Sequence, residues 1–98
     1  GVGKNRNMMH TLLLNGFMAC IEVDDFTNAL YFKKQIEKNF FEENETYFRI
    51  VYLWAEGLLD SKQGRAEEGQ RKMEDAIRIF EMIGCSKSAD YYRSAMEC

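Results

Sequence analysis

The stretch 46–83 most constrains what this chain can fold into, because its pattern predicts two long amphipathic helices joined by a tight turn. Gly64 lies between the two helical runs, and glycine is common at the left-handed position that closes a helix. Gly57 and Gly69 lie inside the runs, although a glycine within a helix costs about 1 kcal/mol relative to alanine. Two such costs in one hairpin indicate that the helices approach each other closely.

The spacing is similar to that of tetratricopeptide (TPR) hairpins, which place small residues in both helices, followed by a large residue and an alanine. The residues that match this order are Gly57, Gly69, Met73 and Ala76. The TPR pattern favours Leu, Tyr and Pro at three positions where this chain has Glu56, Asp60 and Glu81. We therefore expect a TPR-like hairpin rather than a consensus repeat.

The composition is typical of a folded all-α domain. Hydrophobic residues make up 46% of the 98 residues, charged residues make up 30%, and there is no proline to interrupt a helix. The formal net charge of −3 argues against independent binding to nucleic-acid phosphates. Three cysteines without close spacing favour a reducing compartment, and no apolar run reaches the ~18 residues of a membrane span. We expect a cytoplasmic protein.

Five helices are predicted, as two hairpins at about 7–41 and 45–83 and a capping helix at about 87–97, in a single domain, 1–98. The two hairpins look like one repeated unit. Gly16 and Gly57 are 41 residues apart, and the polar turns at Asp24 and Gly64 are about 40 apart. Such periods are typical of helical solenoids, although the alanine signature is weaker in the first copy.

Solenoids usually need about three repeats and polar caps for stability, whereas this chain has two and a half. We therefore expect self-association that buries an exposed face, and the largely apolar first helix is the best candidate for that face. The residues predicted at the dimer interface are Met9, Leu14, Tyr92 and Met96. One tyrosine of the pair 91–92 should pack on the fourth helix, but the sequence does not distinguish which.

Part of the chain resembles a known family of regulators. The motifs are KQGRAEEG at 62–69, MEDAIRIF at 73–80, IGC at 83–85 and ADYY at 89–92. With them the chain resembles the C-terminal part of the Rgg/GadR/MutR transcriptional regulators of Gram-positive bacteria, closely over 46–96 and loosely over 8–41. The resemblance implies a TPR-like domain that binds short signalling peptides, dimerisation through C-terminal helices, and an N-terminal helix-turn-helix for which this chain has no room. A fragment of a longer regulator is expected.

In TPR-like stacks the first helix of each hairpin lines the concave surface. The residues predicted to line a peptide-binding groove there are His10, Leu13, Phe17, Cys20, Tyr47, Val51, Trp54, Leu58 and Lys62. Aromatic side chains often dominate recognition surfaces, and Lys62 could meet the carboxylate of a peptide. The alternative is that this stripe is core or oligomer interface, as hydrophobic stripes at helical spacing usually are.

No catalytic constellation is readable in the sequence. The acidic residues at 42–45, 67–68 and 74–75 are neighbours in sequence and so point to different faces of a helix. His10 has no Ser, Cys or Asp partner at a diagnostic spacing. We therefore predict a peptide-sensing and dimerising region of a transcription regulator, with no enzymatic activity, metal or cofactor. The alternative is a stand-alone TPR-like scaffold that docks a partner protein.

Overall fold

The structure, a computed structural model, describes the backbone of residues 2–40 and 46–96 and the side chains of residues 8–39 and 46–96. Within these residues it is all-α and has no strand, which confirms the predicted fold class of TPR-like helical hairpins. The helices are α1 (Val2–Glu22), α2 (Phe26–Phe40), α3 (Thr46–Lys62), α4 (Ala66–Met82) and α5 (Ser86–Met96). None of these helices combines the length and the apolar character needed to cross a bilayer.

The predicted helix limits differ from the observed ones mainly at α1, which begins at Val2 rather than near residue 7. Residues 2–7 carry few apolar side chains, so hydrophobic periodicity could not reveal that they are helical. The acidic residues at 42–45 and the end of the chain at 97–98 lie outside the described residues. The chain contains two compact units, Gly1–Arg49 and Ile50–Cys98, and each is described by itself below.

The same turn follows three of the helices. The second residue after each of α1, α3 and α4 has a left-handed backbone, with φ of 59° at Asp24, 91° at Gly64 and 84° at Gly84. The next N–H then donates to the carbonyl five residues earlier at 2.8 Å in the pairs Asp25 to Cys20, Arg65 to Asp60 and Cys85 to Phe80. This bond defines the Schellman motif, which closes a helix and reverses the chain. The turns lie 40 and 20 residues apart. The turn that joins α4 to α5 thus has the same hydrogen bond as the turn that joins α3 to α4.

A small buried residue follows each of these turns at the end of the first turn of the next helix. These residues are Ala29, Gly69 and Ala89. The N–H of each donates to the carbonyl of the residue before the helix, at 2.9–3.0 Å. An alignment of the two repeats at Gly16 and Gly57 does not reveal this regularity. Gly16 is eight residues before its turn and Gly57 is seven, which shifts the two glycines by one position.

Helices α3 and α4 cross at Gly57 and Gly69. A Cβ atom added to Gly57 would lie 2.5 Å from the carbonyl oxygen of Gly69 and 2.8 Å from Cγ of Met73. A Cβ atom on Gly69 would overlap the carbonyl oxygen of Gly57 and Oγ of Ser61. The predicted close approach of the two helices is therefore confirmed, and it is a contact of backbone on backbone.

Gly16 faces a different neighbour. A Cβ atom there would lie 2.6 Å from the ring of Phe32, a side chain of α2, and not against backbone. Gly16 is one residue further from its turn than Gly57 is, and one residue corresponds to a rotation of about 100° around the helix axis. A ring can shift where a helix backbone cannot. The first hairpin should therefore tolerate a larger residue at Gly16 better than the second hairpin tolerates one at Gly57.

Each unit has its own buried centre. In the first unit, Phe17 and Ile21 of α1 and Ile36 of α2 are fully buried. In the second unit, the Tyr92 ring stacks on Phe80 with centroids 5.6 Å apart and lies 5.0 Å from the Trp54 ring. Tyr92 is the tyrosine that packs on α4, whereas Tyr91 is 67% exposed. Capping helix α5 is thus held to α3 and α4 by an aromatic cluster.

We expect Gly57→Ala to destabilise the chain by at least about 2 kcal/mol, because its Cβ meets backbone that must move apart. This loss exceeds the gain of about 1 kcal/mol in helix propensity. Gly16→Ala is the matched control, and we expect its free energy of unfolding to stay within about 1 kcal/mol of the parent, since only the Phe32 ring must shift. Urea denaturation measures both. Equal stability of the Gly57→Ala variant and the parent would contradict the close crossing.

Candidate functional site

The groove residues predicted on α1, together with Tyr47 at the start of α3, differ widely in exposure. His10 and Phe17 are buried, at 1% and 0% exposure, and the His10 ring lies 5.6 Å from the Phe48 ring. Leu13 and Cys20 are half-buried, and Tyr47 is 45% exposed. Among the predicted groove residues of this unit, Leu13, Cys20 and Tyr47 are therefore the ones accessible to a ligand.

The groove residues predicted in the second unit lie along α3 at intervals of three and four. Val51 and Trp54 are buried at 4% and 3% exposure, whereas Leu58 is half-buried and Lys62 is exposed. Trp54 belongs to the aromatic cluster with Tyr92, so its ring already has packing partners within the chain. The end of α3 that carries Leu58 and Lys62 is thus the accessible part. The peptide groove stays a prediction, and ligand access to Trp54 would require the core to open.

The Trp54 indole has one unusual feature. Its Nε1 is buried and has no hydrogen-bond partner among the described residues. A buried donor without an acceptor costs roughly 1–3 kcal/mol. Most buried polar groups in proteins are paired, so an exception of this kind needs an explanation, of which a functional role is one.

The four residues predicted at a dimer interface also divide by exposure. Met9 is 39% exposed and Met96 is half-buried, so both offer surface to a partner. Leu14 and Tyr92 are 4% and 9% exposed and offer almost none. Which surface pairs in a dimer stays a prediction, but Met9 and Met96 are its accessible members.

An open groove lies between α4 and α5, with a volume of about 410 Å³. Its lining combines apolar and charged side chains: Gln70, Glu74, Ile77, Arg78, Glu81, Arg93 and Met96. Arg93 spans the two helices, since its Nη2 lies 3.0 Å from Glu81 on α4 and its Nη1 lies 3.1 Å from Asp90 on α5. The sequence reasoning did not assign this groove, because its residues come from two helices whose pairing only the fold shows.

Asp60 is the centre of a charged cluster that the sequence pattern marked only as a departure from the TPR consensus. It is 8% exposed at the end of α3. One carboxylate oxygen accepts hydrogen bonds from Nη2 and Nε of Arg65 at 2.8 and 3.2 Å, and the other is 2.8 Å from Nζ of Lys72. The cluster joins α3, the turn and α4 through charged side chains.

The pKa of Asp60 results from opposing effects. Burial alone raises the pKa, but the hydrogen bonds from Lys72 and Arg65 and their positive charges outweigh it and lower the pKa below its ordinary value of 3.8. The carboxylate is therefore ionised at neutral pH, with both of its oxygens bonded to cations. It acts as an anchor for the hairpin rather than as a proton acceptor.

We expect Asp60→Asn to lower the free energy of unfolding by about 1–3 kcal/mol at pH 7, because two charged donors lose their carboxylate. The ionised carboxylate stabilises the fold above its unfolded-state pKa near 3.8, and this contribution is lost as the pH falls through the lowered folded-state pKa. The difference from the parent should therefore narrow below about pH 4 in urea denaturation. Asp75→Asn is the control, since Asp75 pairs with Arg78 on the surface. Its loss should lower the free energy of unfolding by about 0.5 kcal/mol or less. A pH-independent difference at Asp60 would contradict the ionic role.

No cluster of three or more His, Cys, Asp or Glu side chains suited to a metal ion occurs within the described part of the chain. The family model of the C-terminal domain of the HTH-type transcriptional regulator Rgg matches residues 1–94. No individual curated protein matches the chain. The family match includes both hairpins and almost all of α5. The chain therefore belongs to the family of C-terminal domains of the Rgg HTH-type transcriptional regulators.

Proposed function

We propose that this chain is the part of a transcription regulator that senses a short peptide and forms a homodimer, and that it acts in the cytoplasm without catalysing a reaction. Membership in the Rgg C-terminal domain family is the observation that carries the proposal. The fold supports it, because stacked helical hairpins present extended surfaces that suit extended ligands. DNA binding would then belong to a different part of the regulator.

The accessible end of α3 is the part of the proposed peptide site that has the clearest chemistry. Leu58 is half-buried and Lys62, one turn later, is exposed. A short apolar peptide could pack its last side chain against Leu58 while its terminal carboxylate pairs with the Lys62 ammonium. An exposed ion pair contributes about 0.2–1 kcal/mol, so this contact would orient the peptide more than it would add to its affinity.

Trp54 lies one turn before Leu58. Its indole N–H could cause the conformation to change when a peptide binds. Its buried Nε1–H has no acceptor among the described residues. A peptide carbonyl that reached this N–H would remove the cost of the unpaired donor. Such a contact would form only in an arrangement that opens the aromatic cluster, and a ligand shifts an equilibrium only when it binds one arrangement better. The proposed signal is this difference in affinity.

A stand-alone scaffold for a partner protein is the second candidate. The groove between α4 and α5 favours it, because paired charges around Ile77 and Met96 suit a protein surface. Family membership favours the regulator. The two proposals differ in the expected ligand, which is a short peptide with a free carboxylate in the first and a folded surface in the second.

Selection of displayed short random peptides against the chain tests peptide sensing. We expect enrichment of apolar peptides whose binding weakens by about two- to fivefold in Lys62→Gln, as expected for the loss of one exposed ion pair. The same peptides with an amidated C-terminus should bind parent and variant equally, because they have no carboxylate to pair with the lysine. Isothermal titration calorimetry gives the affinities, and Trp54, the single tryptophan of the chain, reports any opening of the core by fluorescence.

Lys87→Gln is the control, since Lys87 is an exposed lysine on α5 outside the proposed site. Its affinity for the selected peptides should equal that of the parent. Selection without any enriched peptide would contradict peptide sensing. An equal loss for free and amidated peptides in Lys62→Gln would keep peptide sensing but contradict the carboxylate contact.

A further inference from the structure

The outward face of α1 is apolar. Met8 and Leu12 are each 63% exposed and Val23, directly after the helix, is 74% exposed. Val23 continues the helical hydrogen bonding, since its N–H donates to the carbonyl of Ala19 at 3.3 Å. Asn15 and Ala19 are also exposed, so the face runs through positions 8, 12, 15, 19 and 23. Intervals of three and four are those of a helix that pairs with another helix along a seam.

This face has almost no charge. Between residues 8 and 21 the sequence contains no Asp, Glu, Lys or Arg, and Glu22 is the one such residue of α1 after residue 7. A charged partner would lose water on this surface without gaining an opposite charge. An uncharged apolar surface of the same kind has little hydration free energy to lose. A second copy of this face is therefore a suitable partner for it.

The apolar positions are also arranged symmetrically. Met8 and Val23 are equidistant from the bond between residues 15 and 16, and so are Leu12 and Ala19. If two copies of α1 pack antiparallel about a two-fold axis at this bond, Met8 of one copy lies opposite Val23 of the other. Leu12 then lies opposite Ala19, so a large side chain meets a small one. A two-fold interface needs this kind of self-complementary patch.

We propose that α1 is the homodimer interface and that two copies of this helix pair antiparallel about a two-fold axis beside Asn15. The proposal rests on the dimer formation proposed above and names the surface and the geometry that produce it. The antiparallel direction keeps Glu22 away from Glu22 of the second copy, whereas parallel helices would bring the two carboxylates together. It also opposes the helix dipoles. At the axis, the Asn15 amide has both a donor and an acceptor and can bond to its own copy.

Light scattering across a concentration series tests the interface. We expect a dimer for the parent chain and an increase of about 100-fold or more in the dissociation constant for Leu12→Lys, because both copies lose a buried leucine and gain a charge. Met82→Lys is the matched control, since Met82 is 77% exposed on α4 and the same type of change there should leave the constant within about twofold. Circular dichroism checks that both variants keep the helical content of the parent.

Disulfide crosslinking tests the direction of the pairing, in chains whose three native cysteines are replaced by serine. Asn15→Cys should crosslink to itself, because the two copies of residue 15 meet near the axis. Met8→Cys should not, because its two copies would lie about 22 Å apart along the helices, and a disulfide requires Cα atoms within about 7 Å. Leu12→Cys mixed with Ala19→Cys should form the mixed dimer.

Each remaining result overturns a stated part of the inference. A dimer that persists in Leu12→Lys contradicts the α1 interface but leaves dimer formation intact. Efficient crosslinking of Met8→Cys to itself contradicts the antiparallel direction. A parent chain that is monomeric at all concentrations contradicts dimer formation itself and means that this face binds a partner other than a second copy. The peptide selection then tests peptide sensing independently.

Discussion

The crossing of two helix backbones at Gly57 and Gly69 is the constraint on which the second unit depends. Because no side chain separates the helices there, their rotation and their distance are set together. The residues one turn away on each side of Gly57 then have defined neighbours. Asp60 lies beside Lys72 of α4 and beside Arg65 of the turn, and Trp54 lies against Tyr92 of α5. The charged cluster and the aromatic cluster are thus two consequences of one close contact.

A shared turn gives the chain its repetitive character, while the helix contacts differ between hairpins. Three Schellman turns, at Asp24, Gly64 and Gly84, reverse the chain at intervals of 40 and 20 residues. The glycine of the first hairpin is one position further from its turn and meets the side chain of Phe32 instead of backbone. A repeat can therefore keep its turn and lose its tightest contact, because the turn depends on local hydrogen bonds and the contact depends on helix rotation.

The functional proposals depend on surfaces that have different chemical characters. The end of α3 offers Leu58 and Lys62 to a peptide with a carboxylate, whereas the outward face of α1 offers uncharged apolar side chains to a second copy. The end of α3 and the outward face of α1 share no residue, so ligand binding and pairing need not compete for the same side chains. A peptide can then influence the dimer through a change in conformation. The buried Nε1 of Trp54 is the group through which we expect that change to act.

The sequence by itself determined the fold class, four of the five helix starts to within about a residue, the Gly57–Gly69 contact and the family resemblance, because these depend on local pattern. For the candidate site the sequence predicted groove residues along α1 and α3, and the groove itself stays a prediction. Only the tertiary structure decided that Trp54, Leu14 and Tyr92 are buried while Leu12 is exposed, and that Asp60 pairs with Lys72. Periodicity shows which side chains share a face of a helix, but what covers that face depends on helices distant in sequence.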